Sequence, residues 1–388
     1  MRVVSHEDHG APLVTVNLMF HAGSRHETPG RTGLAHLLEH LMFEGSEHAP
    51  KGHFDDVLER VGGTNNGSTW LDRTEYHETV PTHAVELPLW LERDRMAFFL
   101  HTLTDEVLEL QRGVVINERR QAYENRPYGL ADERLHEMLF PDGHPYSWPT
   151  IGYMADLEPE RAFALAEQYF GDLPAGTAAA PRPGGEIPPP PRVPREVMED
   201  DVSFPRIFQA FAVPGYGHED WVALDTLAYL LADGDSSRLQ RALVRDGRLA
   251  QDVDTYLYPT ALCGLFGVVA TSRSGIEPEA LEDAVRRVLD DVAANGVSAD
   301  EVTGAVRRAR RDHASEMATV EERADALAYA ATILGDPDAV NGVMAAYEHV
   351  TADDIQQVAA RYLSADRAAT LVVVPGAETA EEEVADAA

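Results

Sequence analysis

The chain of 388 residues carries 66 Asp and Glu against 32 Lys and Arg, a formal net charge of −34. A field of that sign repels both nucleic-acid phosphates and an anionic membrane surface, which excludes either as a partner held by charge. The hydrophobic share of 44% and charged share of 25% are those of a folded chain, and the length allows two cores.

Cys263 is the only cysteine, so neither an intrachain disulfide nor a thiolate metal cluster can form. The first residues have neither the basic start nor the apolar centre of a signal peptide, and no run approaches the roughly 18 apolar residues of a membrane span. The expectation is a soluble, cytoplasmic protein.

In chain order, residues 14–20 alternate as a half-buried strand, and 33–43 form an apolar helix-like run. Residues 75–80 read as a second strand, 84–99 as an amphipathic helix and 114–124 as another helix. A composition break over 172–195 is rich in Ala, Gly and Pro, and includes four consecutive prolines at 188–191; it behaves as an extended linker. Beyond it, 207–211, 223–231, 265–270 and 278–294 repeat the strand, helix, strand, helix order at an offset of 191 residues. Residues 370–374 read as a terminal strand. The fold expected is α+β, two similar domains each with an antiparallel-rich sheet packed against helices. The boundaries are 1–175, a Pro-rich linker at 176–195, and 196–388.

The offset also compares chemistry. His36, Glu39 and His40 fall opposite Leu227, Leu230 and Leu231. Polar side chains in an otherwise apolar helix need a reason, because an unpaired buried carboxylate costs several kcal/mol. His36 and His40, one turn apart, stack on one helix face, with Glu39 on the same side. Two neutral imidazoles are good zinc ligands, and the glutamate between them is placed to take a proton from a metal-bound water. The order His-x-x-Glu-His inverts the commoner zinc-protease motif. A hydrolytic zinc site usually takes a third protein ligand: Glu118 is the best candidate, with Glu124 and Glu109 behind it, and spacing alone does not choose.

Residues 36–46, 63–69, 72–76 and 114–118 together resemble the pitrilysin family of zinc peptidases, which includes insulin-degrading enzyme and the mitochondrial processing peptidases. In the second half, 235–239 and the terminal strand resemble that family's second domain, so the resemblance spans essentially the whole chain. It implies zinc held by His36, His40 and Glu118, with Glu39 as general base. Asn66 and Gly67 match the edge strand that pairs with the substrate backbone. Arg245 matches a substrate-binding arginine of the second domain. Two positions depart from the pattern: Gln111 stands where many members have a second glutamate, and Gln251 where those completing their own substrate site have a tyrosine.

The activity implied is zinc endopeptidase action on short or unfolded peptides inside a chamber formed by dimerisation, since a chain of this size is half of the family's clamshell. Gln251 favours a heterodimer with a homologous, zinc-free partner over a homodimer. The alternatives are a non-catalytic subunit, against which the intact four-residue set argues, and a leader-processing subunit with the same chemistry. Acidic residues lining such a chamber would concentrate cationic peptides.

Overall fold

The structure is a computed structural model and describes residues 2–28, 30–151 and 186–376. The first half runs β1 (Leu13–Phe20), α1 (Leu34–Met42), α2 (His53–Val61), β2 (Thr64–Thr69), β3 (Thr74–Pro81), α3 (Glu86–Phe98), α4 (Asp105–Arg119) and α5 (Ala131–Leu139). The second runs β4 (Arg195–Asp200), β5 (Arg206–Pro214), α6 (Trp221–Ala232), β6 (Ala250–Tyr258) and β7 (Cys263–Ser272). It continues through α7 (Pro278–Asn295), α8 (Ala299–Glu316), α9 (Val320–Tyr329), α10 (Ala339–Glu348), α11 (Ala352–Tyr362) and β8 (Ala369–Pro375). The fold is α+β, with antiparallel-rich sheets carrying helices.

The sheets show the repeat directly. One has the order β1-β3-β2, every pairing antiparallel. The other contains β5-β7-β6, again antiparallel, which is the same first-third-second pattern. It is extended by β8 beside β5 and by β4 parallel to β8.

Packing divides the chain into two compact units that are not its consecutive halves. The segment Glu316–Val340, which carries α9, belongs with β1–β3 and α1–α4, and Ala122–Ser147, which carries α5, belongs with the second unit. Because α5 and α9 occupy corresponding places in the repeat, like helices are exchanged. The composition-based division at 176–195 therefore separates stretches of sequence, and packing crosses it in both directions. Residues 176–185 lie outside the described residues, as does the acidic run at 381–383, and 186–194 form neither helix nor strand.

In the first unit α9 packs on β1, and polar contacts tie it to β1 and β3. The Asn17 amide donates to Asp325 at 3.4 Å, the Thr79 hydroxyl donates to Glu321 at 3.0 Å, and His77 Nε2 lies 3.2 Å from Glu321. The reason is strand alternation: Tyr76, Glu78 and Val80 face α3, leaving Glu75, His77 and Thr79 on the other face. Behind β3 the buried Arg95 pairs with Glu92 and Glu78 and lies over Tyr76 at 4.2 Å and Phe54 at 4.7 Å. Burial pushes the Glu78 carboxyl well up from its ordinary value.

The second unit has the larger apolar core. Leu224, Leu227 and Leu231 of α6 pack with Ile207, Phe211 and Phe266 of the sheet and with Val285 and Leu289 of α7. Among the described residues no helix is long and apolar enough to cross a membrane.

Candidate functional site

The site is built on α1, whose Leu, Ala and Met are good helix formers. Its N-cap is Gly33 at φ 92°, a left-handed conformation that suits glycine but brings no side-chain acceptor for the first N–H groups. Glu27 supplies the acceptors from six residues upstream. Its Oε2 takes the Gly33 N–H at 2.8 Å and its Oε1 the Ala35 N–H at 2.7 Å. Burial pushes this carboxyl up to about 7, although the backbone donors pull the other way. Past the helix the chain turns at Gly45, φ 107°, where a Cβ would sit 2.6 Å from the Lys51 nitrogen.

Leu37 and Leu41 of α1, one turn apart, pack against Leu108 and Val115 of α4. Val115 and Glu118 are three residues apart and share a helix face, so the contact that buries Val115 also brings Glu118 toward α1. His40 Nε2 lies 3.1 Å from Glu118 Oε2, and His36 Nε2 lies 3.8 Å from the same oxygen. The imidazole centroids are 4.7 Å apart. One ligand atom from each of the three residues falls within 4.8 Å of the others, and no other such group of three is present among the described residues.

Tetrahedral zinc with bonds of about 2.0–2.1 Å sets its ligand atoms roughly 3.3 Å apart, inside the observed range of separations, and two imidazoles with a carboxylate are donors zinc takes. The three residues fit that ion. Burial pushes the His36 imidazole down, toward the neutral form a ligand needs. The Glu118 hydrogen bond pushes His40 up, and the same bond holds Glu118 down. His36 Nδ1 is buried without a hydrogen-bond partner among the described residues.

Glu39 is buried beside this trio, and burial pushes its carboxyl up against the opposing hydrogen bond from Thr69. The Thr69 hydroxyl donates to Glu39 Oε2 at 2.6 Å. Thr69 closes β2, and β2 is an edge strand of its sheet among the described residues, so the stretch containing Asn66 and Gly67 is a strand edge and not a turn. A Cβ at Gly67 would meet Phe43 and Tyr76 ring carbons at 3.1 Å each, which accounts for glycine where the strand passes the end of α1. The Asn66 side-chain oxygen accepts the Gly67 N–H at 2.9 Å.

The other sequence candidates separate clearly. Glu109 lies on α4 beside Arg112, at 3.4 Å. Glu124 falls in the π-helical turn Arg120–Glu124, within the segment that belongs to the second unit. Gln111 is buried, and its amide N–H donates to Glu44 Oε1 at 2.6 Å, while Lys51 Nζ lies 2.7 Å from the same oxygen. In the second unit Arg245 is exposed and donates to the Asp235 carbonyl at 3.2 Å. The Gln251 amide is held by the Ser272 carbonyl at 2.9 Å.

Sequence reasoning missed Glu27 and Thr69. A glycine N-cap, which cannot cap itself, was a usable signal for an acid nearby. For Thr69 the signal was slight, because which face of β2 its hydroxyl takes depends on register.

A repeated α+β chain whose first helix bears His-x-x-Glu-His, with a glutamate from a second helix closing on both histidines, has the build of the inverted-motif metallopeptidase class. The comparisons agree. A family model described as insulinase, peptidase family M16, matches residues 2–148, and one described as peptidase M16 inactive domain matches residues 150–309. The chain belongs to this pitrilysin, or M16, family of peptidases. Zinc protease PqqE of Helicobacter pylori is 29% identical over 309 residues, covering 72% of this chain and 69% of its own. Mitochondrial-processing peptidase subunit beta of Caenorhabditis elegans is 25% identical over 350 residues, covering 79% and 72%. The crystal structure of a protease from Helicobacter pylori aligns with a TM-score of 0.82 and 25% identity over 94% of each chain.

Proposed function

We propose that this chain is a zinc metalloendopeptidase that hydrolyses short or unfolded peptides, with zinc held by His36, His40 and Glu118 and with Glu39 as general base. The observation that carries the reading is the convergence of His36 Nε2, His40 Nε2 and Glu118 Oε2 beside a buried Glu39. Zinc bound there would supply Lewis acidity for the peptide carbonyl and for the attacking water. Glu39 takes the proton from that water and returns it to the leaving amine, and burial suits its carboxyl to both transfers by raising its proton affinity. The substrate backbone pairs along the β2 edge, where the Gly67 N–H passes from the Asn66 side chain to a substrate carbonyl.

The chamber is completed by a homologous partner subunit, and we favour a heterodimer in which Arg245 and a partner share substrate contacts. Gln251 in place of tyrosine supports this, as does a relative named as a subunit. We favour the cytoplasm, a reducing compartment that the single cysteine permits. The test is Glu39→Gln in the enzyme purified with its partner. Zinc content should stay stoichiometric while turnover falls about a thousandfold, the scale of a lost acid–base group. Retained turnover removes Glu39 from the role, and absent zinc removes the metal assignment.

A further inference from the structure

The strand that borders the site does more than offer an edge. Glu39 has two carboxylate oxygens, and the Thr69 hydroxyl holds Oε2 at 2.6 Å; Oε1 has no hydrogen-bond partner recorded among the described residues. The direction of that bond is fixed by the neighbours. Thr74, directly across the strand pair, has its hydroxyl 3.3 Å from that of Thr69 and donates its own proton to the Ala22 carbonyl at 2.9 Å. Thr74 therefore has no proton left for Thr69, and an ionised carboxylate can only accept, so the Thr69 proton points at Glu39. Bonds to charged groups are short and strong, and a glutamate side chain otherwise keeps rotational freedom about its terminal torsion.

We propose that Thr69 is a positioning residue for the general base: by gripping Oε2 it presents Glu39 Oε1 to the attacking water, and it ties the base to the strand on which the substrate lies. The proposal rests on the reading of Glu39 as base. Thr69 is the last residue of β2, two positions beyond Gly67, so one strand sets both the line of the substrate backbone and the orientation of the group that acts on it. The hydroxyl contributes to transition-state geometry and leaves substrate affinity to the strand's main chain.

The test compares Thr69→Val, which keeps a β-branched shape without the donor, with Thr69→Ser, which keeps the donor, in the enzyme purified with its partner. Turnover of a fluorogenic peptide, zinc content and thermal midpoint are measured for each, with Glu39→Gln alongside. Thr69→Val should lower kcat about tenfold to a hundredfold, as loss of a hydrogen bond to a charged group would, with KM within about twofold and zinc unchanged. Thr69→Ser should return kcat to within about threefold of the parent. If Thr69→Val destabilises the fold, Thr69→Ala against Thr69→Ser makes the same comparison. Parent-like kcat in Thr69→Val beside an inactive Glu39→Gln overturns the Thr69 assignment alone. A loss that Thr69→Ser does not repair, or that appears in KM or zinc content, assigns Thr69 a merely structural role and overturns it too. An active Glu39→Gln overturns the base reading and takes this proposal with it.

Discussion

Helices α1 and α6 hold the same place in the repeat and solve opposite problems. In α6, Leu227, Leu230 and Leu231 are all buried, Leu227 and Leu231 within the apolar core of the second unit, and need nothing but shape. In α1 the corresponding His36 and Glu39 are buried almost as fully, and His40 is partly so. Each brings a polar group into the interior, and the surrounding structure answers with Glu118 and Thr69. A position filled by leucine in one copy is held polar in the other, and on the proposed reading the chemistry of the site is what that polarity serves.

The first way to break the comparison is to carry a histidine across. Leu227→His puts an imidazole into a fully buried apolar site with no acceptor arranged for it. Loss of leucine packing and burial of an unsatisfied ring should destabilise the second unit by about 3–5 kcal/mol, read from the urea midpoint. A loss below about 1 kcal/mol, the scale of an ordinary surface change, would mean that α6 tolerates polarity and that the contrast between the two helices is accidental.

A second experiment addresses how the polar helix is started. Glu27 caps α1 from within the protein, with its carboxyl raised by burial from an ordinary 4.5 to about 7. For a carboxyl raised in this way, the stabilising contribution is fully present below about pH 4.5 and is lost as pH rises through about 7. The window therefore spans about pH 4.5 to 7 and is worth about 3 kcal/mol. Zinc-free protein should show this fall in unfolding free energy in excess of Glu27→Gln, which lacks the titrating group. Parallel pH curves for the two would show that Glu27 titrates alike in folded and unfolded chains.

How much of this was legible in sequence follows from the range of each interaction. The strands and helices read in both halves follow hydrophobic period, a local signal, and the repeat lets each half check the other; β2, with no apolar residue, does not. His36, Glu39 and His40 stood out because the twin helix supplied the apolar pattern they break. Spacing alone left Glu118 beside Glu109 and Glu124 and the resemblance picked it out; the packing of Val115 against α1 gives the physical reason. The exchange of α5 and α9 could not be read at all. Both helices have the sequence of ordinary amphipathic elements, and which sheet a helix covers is decided by the path of the chain, which no local pattern encodes. Thr69 and Glu27 lie between these cases, as short-range bonds whose direction depends on register and on one left-handed glycine.

The smallest expected effect gives the sharpest form of the comparison, because it changes sign. His36→Leu rewrites one position of α1 as its twin. His36 Nδ1 is buried without a partner among the described residues, burial pushes the ring toward its neutral form, and its Nε2 is 3.8 Å from Glu118, so in zinc-free protein its polar contacts are weak. Leucine fills similar space with no polar atom to desolvate and can join Leu37 and Leu41 in the apolar contact with α4. The zinc-free variant should be more stable than the parent by about 1 kcal/mol, the penalty of an unsatisfied buried donor, while stoichiometric zinc binding is lost. Thermal unfolding with a chelator present, followed by zinc titration, reads both quantities on one sample. If His36→Leu is destabilising without zinc, the imidazole serves the fold as well as the metal, and α1 has diverged from α6 further than its ligand residues alone.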